Sequence, residues 1–156
     1  MASLNEIRRL VAQVKRYNLS APESFHAAPL ELLRGMYNGI GPEAWSAWWR
    51  GKVTQLLRLF SSVALVHDYE FATAPRTYWA FTIANVRFAY NAYTLARGEA
   101  AERLAQLQTW APNTARADEV KVTARRTIRA GLLLAVICQL GGWRGYRDEF
   151  IIKKGD

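Results

Sequence analysis

The sequence predicts an all-α protein that forms a single domain, on the basis of its apolar spacing, its few strand patterns and its undivided composition. Apolar residues recur at the three- and four-residue spacing of helices over most of the chain, while alternating strand patterns are sparse. No repeat, low-complexity tract or long linker divides the 156 residues, of which 51% are hydrophobic and 22% charged. We therefore predict one compact helical domain over residues 1–156.

The N-terminal half begins with a helix that the sequence marks clearly. Ser3 and Glu6 form a capping-box pattern, and the apolar residues that follow them keep helical spacing. Residues 18–29 contain two prolines and are predicted to be a loop, and a short helix over about 30–36 follows. Pro42 is predicted to begin another helix, which continues through His67 after a break near Ser61 and Ser62.

The C-terminal half is predicted to hold the longest helices. One runs from about Arg76 to Arg97, where Gly98 kinks or ends it, and a charged helix then continues to Trp110. The last long helix is expected over about 118–140, ending at Gly141 and Gly142. The tail, 143–156, has a mixed pattern with room for a short strand.

Composition limits the partners and the compartment. The formal net charge of +8 favours anionic partners, either phospholipid surfaces or nucleic acid, although such a charge also serves solubility alone. Cys138 is the single cysteine, so no intrachain disulfide can form, which indicates a reducing compartment or a protein that does not need an oxidising one. The N-terminus lacks the apolar centre of a signal peptide, and the apolar stretch 128–143 is too short to span a membrane. A location in the cytoplasm or within a larger particle is expected.

A histidine and an asparagine are predicted to meet on two central antiparallel helices. His67 shares one helix face with Phe60, Val63 and Phe71, because successive members of this set are three or four residues apart. Asn85 lies by the same rule on the apolar face of the next helix. A buried amide needs a hydrogen-bond partner, and His67 is the expected one. A histidine oriented in this way has the form of a general base.

A glycine-containing turn and an aspartate are predicted to bind calcium. Tyr37, Gly39 and Gly41 offer backbone carbonyls, because glycine permits a tight backbone path. Asp68, next to His67, offers a carboxylate, and Ca²⁺ prefers such oxygen ligands. The ion would polarise an ester carbonyl or a phosphate while His67 activates water. The predicted site is therefore that of a calcium-assisted hydrolase.

The Asn38-Gly39-Ile40-Gly41-Pro42 loop, the His67-Asp68 pair and the polar Asn85 on the following helix resemble phospholipase A2. The similarity is to the small disulfide-free members found in phage and bacterial genomes, and it extends over Tyr37–Asn91 within the core motif region 37–97. It implies cleavage of the sn-2 ester of a phospholipid, with His67 as general base and Asp68 as calcium carboxylate. The implied loop carbonyls are those of Tyr37, Gly39 and Gly41.

Two positions depart from the family pattern. The family has a tyrosine where this chain has Phe71, and an aspartate where it has Asn85. An amide accepts a hydrogen bond from His67 but lacks the charge that stabilises an imidazolium, and losing such a charge can cost orders of magnitude in rate. Tyr78, Tyr90 and Tyr93 are candidates to restore the hydroxyl. The chain is therefore expected to be a weak enzyme or a scaffold that has lost catalysis.

Two further functions stay open at this point. The chain could be a non-catalytic helical interaction protein, such as a phage virion or tail component that docks through its aromatic-rich helices. Trp45, Trp48 and Trp49 fit either a core or a lipid-facing surface. The arginine cluster of 125–129 lacks a helix-turn-helix pattern, so the sequence argues against nucleic acid as the partner.

Overall fold

A computed structural model describes residues 2–37, 59–110 and 114–152, and it confirms the all-α prediction for these ranges. The regular elements in them are all helices: α1 Leu4–Arg16, α2 Glu23–Ala27, α3 Leu30–Met36, α4 Ser61–Thr73, α5 Tyr78–Trp110 and α6 Thr114–Ile152. Helices α1 and α3 pack on α4, α4 packs on α5, and α5 packs on α6. The helix predicted to begin at Pro42, with its three tryptophans, lies outside the described residues.

Helix α1 begins and ends at capping motifs. The Ser3 hydroxyl accepts a hydrogen bond from the backbone N–H of Glu6 at 3.1 Å, as the capping pattern predicted. At the other end, Asn18 adopts a φ of 49°, a left-handed conformation that asparagine tolerates better than most residues. The N–H of Leu19 then reaches back to the carbonyl of Val14 at 2.9 Å, which is the signature of a Schellman motif. The region predicted as loop also contains the short helix α2.

Helices α4 and α5 form an antiparallel pair, as predicted. Residues 74–77 connect them, and Thr77 caps α5 by accepting a hydrogen bond from the N–H of Ala80 at 3.1 Å. Near this connection the rings of Phe71 and Phe81 are in contact, with centroids 5.6 Å apart. Farther from it, Phe60 contacts Phe88 at 6.4 Å, as the antiparallel arrangement requires. This pairing brings the predicted histidine face of α4 against the apolar face of α5.

Helix α5 runs without interruption past Gly98, which corrects the predicted kink or end. A Cβ atom at residue 98 would lie 2.4 Å from the Tyr17 ring, so the glycine admits that ring from α1 rather than breaking the helix. The hydroxyl of Tyr17 donates to Glu102 at 2.9 Å, and Arg16 also binds Glu102. These contacts stabilise the helical backbone at a position where local propensity favours a break.

Helix α6 also continues beyond its predicted end. It passes through Gly141 and Gly142 to Ile152, so the short strand expected in the tail is wrong for the residues up to 152. The rings of Trp143 and Tyr146 pack on Phe81 of α5, with centroids 5.5 and 5.4 Å apart. Burial of these large rings outweighs the modest cost of two glycines in a helix.

The α5–α6 pair packs tightly where Ala92 faces Gly131. A Cβ on Gly131 would lie 2.5 Å from the Cβ of Ala92 and 3.2 Å from the Phe60 ring, so only glycine permits this approach. Within the described ranges, no helix is both long enough and apolar enough to cross a lipid bilayer.

Candidate functional site

His67 lies inside the α4–α5 pair, with its ring held between aromatic side chains. The residue is buried, and its ring centroid is 4.0 Å from that of Phe71 and 5.3 Å from that of Phe88. Phe71 therefore contributes a packing surface for the imidazole and no hydroxyl. These contacts restrict the rotation of the ring. Which of its two nitrogens carries the hydrogen is then decided by hydrogen bonding.

The predicted contact between His67 and Asn85 is present. The Nε2 atom of His67 lies 3.0 Å from the side-chain oxygen Oδ1 of Asn85. An amide oxygen has no hydrogen to donate, so Nε2 must carry the hydrogen of this bond. In the neutral ring, Nδ1 is then the basic nitrogen that can accept a proton. The structure thus brings these two predicted residues together in the arrangement that a general base requires.

Gln139 of α6 holds Asn85 in this orientation. The Nδ2 group of Asn85 donates to Oε1 of Gln139 at 2.8 Å, and Nε2 of Gln139 lies 3.2 Å from both the Tyr78 hydroxyl and Oγ1 of Thr82. Each amide has one oxygen and one NH₂ group. Because the NH₂ group of Asn85 is bound to Gln139, its oxygen is directed toward His67.

Gln139 was not among the predicted site residues. The signal for it in the sequence is an isolated polar residue within the apolar stretch 128–143, which indicates a buried partner without naming it. The three tyrosines expected to restore a hydroxyl are all exposed. Tyr78 reaches the network through Gln139, whereas the Tyr93 hydroxyl accepts a hydrogen bond from Arg97. The Tyr146 hydroxyl donates instead to the carbonyl of Pro75 at 2.7 Å.

Asp68 lies on the Nδ1 side of the histidine. Its Oδ1 atom is 3.9 Å from Nδ1, which is too long for a direct hydrogen bond, and its side chain is 22% exposed. Tyr37 is close enough for the charge of Asp68 to act on its hydroxyl: burial raises the pKa of Tyr37, a hydrogen bond with Ser61 opposes this, and Asp68 raises the pKa further. The side chain of Tyr37, the first residue of the predicted calcium loop, is therefore within electrostatic reach of the predicted carboxylate ligand.

The rest of the predicted calcium site is not described. Gly39 and Gly41 lie outside the described residues, so the convergence of their carbonyls on Asp68 stays a prediction. Among residues 2–37, 59–110 and 114–152, no group of three or more histidine, cysteine, aspartate or glutamate side chains could hold a metal ion. Calcium sites also use backbone carbonyls as ligands, and a carboxylate such as that of Asp68 suits Ca²⁺.

A buried ion pair one turn from His67 was also missed by the sequence reasoning. Glu70 accepts a hydrogen bond from Arg87 of α5, and its carboxylate is buried while that of Asp68 is partly exposed. Burial raises the pKa of Glu70, while the charges of Arg87 and His67 and the hydrogen bond from Arg87 lower it.

A groove lies elsewhere on the α5–α6 pair. It has a volume of about 590 Å³ and is open to solvent, and its lining comes from Arg103, Gln106, Leu107, Arg116, Glu119, Val120 and Thr123. None of the predicted site residues lines it, so it does not contribute to the chemistry at His67.

The thiol of Cys138 gives a direct test of the packing near Asp68. Burial and the charge of Asp68 raise the pKa of Cys138 to about 11. Because the thiolate is the reactive form, alkylation by iodoacetamide should be slow at neutral pH and should rise as the pH approaches 11. Asp68→Asn should shift this profile to lower pH, whereas Asp118→Asn, at the far end of α6, should not. A profile in native buffer that matches the urea-unfolded chain would contradict this packing.

The described residues thus combine a histidine of defined hydrogen-bonding pattern, an amide network that orients it and a carboxylate on its basic side. The chain matches no protein-family model, no curated protein and no solved structure.

Proposed function

We propose that this protein is a phage-type, phospholipase A2-like hydrolase that cleaves phospholipid esters with the help of calcium. The observation that carries the proposal is the hydrogen bond between His67 and Asn85, because it leaves Nδ1 of the imidazole basic and on the side of Asp68. The resemblance of the 37–91 region to that family supplies the substrate class. A cytoplasmic location or a place in the phage particle is consistent with this role.

In the proposed mechanism the chain's residues position water and move one proton. Nδ1 of His67 takes a proton from a water molecule, whose oxygen attacks the carbonyl carbon of the sn-2 ester, and the proton then passes to the leaving alcohol. Asp68, with the carbonyls of Tyr37, Gly39 and Gly41, would hold Ca²⁺. When bound, the ion supplies stabilisation for negative charge on the ester oxygen. Asn85 and Gln139 keep the imidazole in the required orientation during proton transfer.

The decisive experiment measures fatty acid release from phosphatidylglycerol vesicles in calcium and in chelator. We expect calcium-dependent release from the wild-type chain and a fall of roughly 10²- to 10⁴-fold in His67→Gln, which can donate to Asn85 but cannot act as a base. The matched control is His26→Gln, because the only other histidine is exposed on α2. Absence of calcium-dependent release, or equal rates in His67→Gln and wild type, would exclude the hydrolase.

A second candidate function is a non-catalytic interaction protein, such as a phage virion or tail component. The observation that favours it is the pair of uncharged substitutions at the site, Phe71 and Asn85, together with several exposed aromatic residues on α5. Co-purification with phage particle proteins and a lack of calcium-dependent hydrolysis would support it. Nucleic-acid binding, for which DNA retention should fall steeply with salt, is the third and weakest alternative.

A further inference from the structure

The side of α5 that faces away from α4 carries a row of exposed apolar and aromatic residues. Its members are Trp79, Ile83, Val86, Tyr90 and Tyr93, which follow each other in alternating steps of four and three residues. This spacing aligns them along one side of a helix over roughly 21 Å. Trp79 is 71% exposed and Val86 64%, although side chains of these types are usually covered. Phe88 and Leu95, which face the core, lie on the opposite side of α5.

Helix α6 extends this apolar row on the same side of the pair. Leu132, Val136 and Leu140 are exposed, Leu140 by 82%. Cys138 lies on the side of α6 that faces α4, because the charge of Asp68 on α4 acts on it. Val136 and Leu140 are each two residues from Cys138, which places them about 200° around the helix. They therefore face away from α4, and they flank Gln139, which reaches Thr82 of α5. We call the eight apolar residues of the two helices the outer face.

Charge distinguishes the outer face from an ordinary exposed apolar patch. The chain has no acidic residue between Glu70 and Glu99 or between Glu119 and Asp148, yet these two segments contain nine of its 21 lysines and arginines. Arg97 continues the row on α5, and Arg125 and Arg129 continue that on α6. Because the two helices are antiparallel, these basic ends lie together, and the Arg97 guanidinium donates to the Tyr93 hydroxyl at 3.0 Å.

We propose that the outer face binds the surface of an anionic phospholipid membrane. Apolar and aromatic side chains on one helical side with arginines at its edge are the features of proteins that insert shallowly between lipid headgroups. A second copy of the chain fits less well, because two such faces would bring arginines together with no acid to neutralise them. Membrane contact through this face requires neither His67 nor calcium, so it is separate from the proposed hydrolysis.

The test is co-sedimentation with vesicles in chelator, where calcium-dependent hydrolysis is absent. Vesicles of phosphatidylglycerol with phosphatidylcholine are compared with phosphatidylcholine alone, and we expect binding only to the anionic vesicles, weakened by salt. Val86→Glu should reduce affinity by roughly tenfold or more, because an exposed apolar contact is replaced by a charge. The matched control is Leu32→Glu on α3, an equally drastic change at an exposed leucine that should leave binding intact.

A second pair of variants tests the electrostatic half of the proposal. Arg129→Gln should weaken binding by roughly fivefold, while Arg8→Gln on α1, which removes the same charge elsewhere, should have a smaller effect. Circular dichroism confirms that each variant is folded. No binding by the wild-type chain, equal losses in Val86→Glu and Leu32→Glu, or binding that requires calcium would each overturn the proposal. So would a wild-type dimer that Val86→Glu converts to a monomer without any vesicle binding.

Discussion

Replacing Asn85 with aspartate is expected to increase calcium-dependent hydrolysis, by up to roughly 10²- to 10⁴-fold. The substitution puts a carboxylate 3.0 Å from Nε2 of His67, where the amide oxygen now accepts the hydrogen bond. A carboxylate in this place stabilises the imidazolium that forms when Nδ1 takes the proton, and removing such a charge in other histidine-based sites costs a factor of this size. Gln139 can accommodate the change by turning its NH₂ group toward the new carboxylate, since Tyr78 and Thr82 can donate as well as accept.

The matched control for this substitution lies on the same helix. Asn91 is also buried, and its side chain binds both the N–H and the carbonyl of Ser20 at 2.7 Å, away from His67. Asn91→Asp loses the donor to Ser20 and should lower the free energy of unfolding without any gain in rate. Initial rates on phosphatidylglycerol vesicles and urea denaturation separate the two effects. A folded Asn85→Asp variant with an unchanged or lower rate would show that His67 does not act as a general base.

The largest effect on stability is expected at Gly131, which packs tightly against Ala92 of α5. A Cβ at this position would lie 2.5 Å from that of Ala92, so Gly131→Ala forces the helices apart. The expected cost is about 1–3 kcal/mol from overpacking, against a gain of about 1 kcal/mol in helix propensity, and Gly131→Leu should be considerably worse. Gly141→Ala is the control on the same helix, because no neighbouring helix of the described chain comes within 4 Å of its added methyl group. It should raise the free energy of unfolding by about 0.5–1 kcal/mol.

Urea denaturation of the wild-type chain and the three variants measures these changes in the free energy of unfolding. A double variant identifies their source. Ala92→Gly removes the methyl group that a Cβ on Gly131 would meet, so Ala92→Gly with Gly131→Ala should recover part of the loss. The coupling between the two positions should be favourable and exceed about 0.5 kcal/mol. If Gly131→Ala and Gly141→Ala were equally stable, the two helices would not cross at Ala92 and Gly131.

Much of the local structure follows from residues that are near each other in the chain. The spacing of apolar residues predicted α1, α3 and the helical character of the rest, and Ser3 acts as the predicted cap. The same periodicity placed His67 and Asn85 on facing sides of adjacent helices. Their contact could be predicted because the four residues between α4 and α5 permit only an antiparallel pair.

The environment of His67 depended on residues that the sequence does not connect. Gln139 is 54 residues from Asn85, and its orientation depends on two hydroxyls of another helix. The pairing of Glu70 with Arg87 likewise depends on the relative rotation of α4 and α5, which periodicity leaves free within a quarter of a turn. Which groups donate and which accept is decided by the whole hydrogen-bond network. No single residue in it could therefore indicate which amide atom of Asn85 faces His67.

The glycines show most clearly where local reasoning ends. From the sequence alone, Gly98 and Gly141 were expected to interrupt or end helices, because an isolated helix loses about 1 kcal/mol at each glycine. The sequence by itself determined that the described chain is helical, which faces are apolar and that His67 meets Asn85. Only the tertiary structure decided that α5 and α6 continue through their glycines and that Gln139 orients the site. The physical reason is that side chains from distant helices, such as the Tyr17 ring over Gly98, contribute more free energy than local propensity removes.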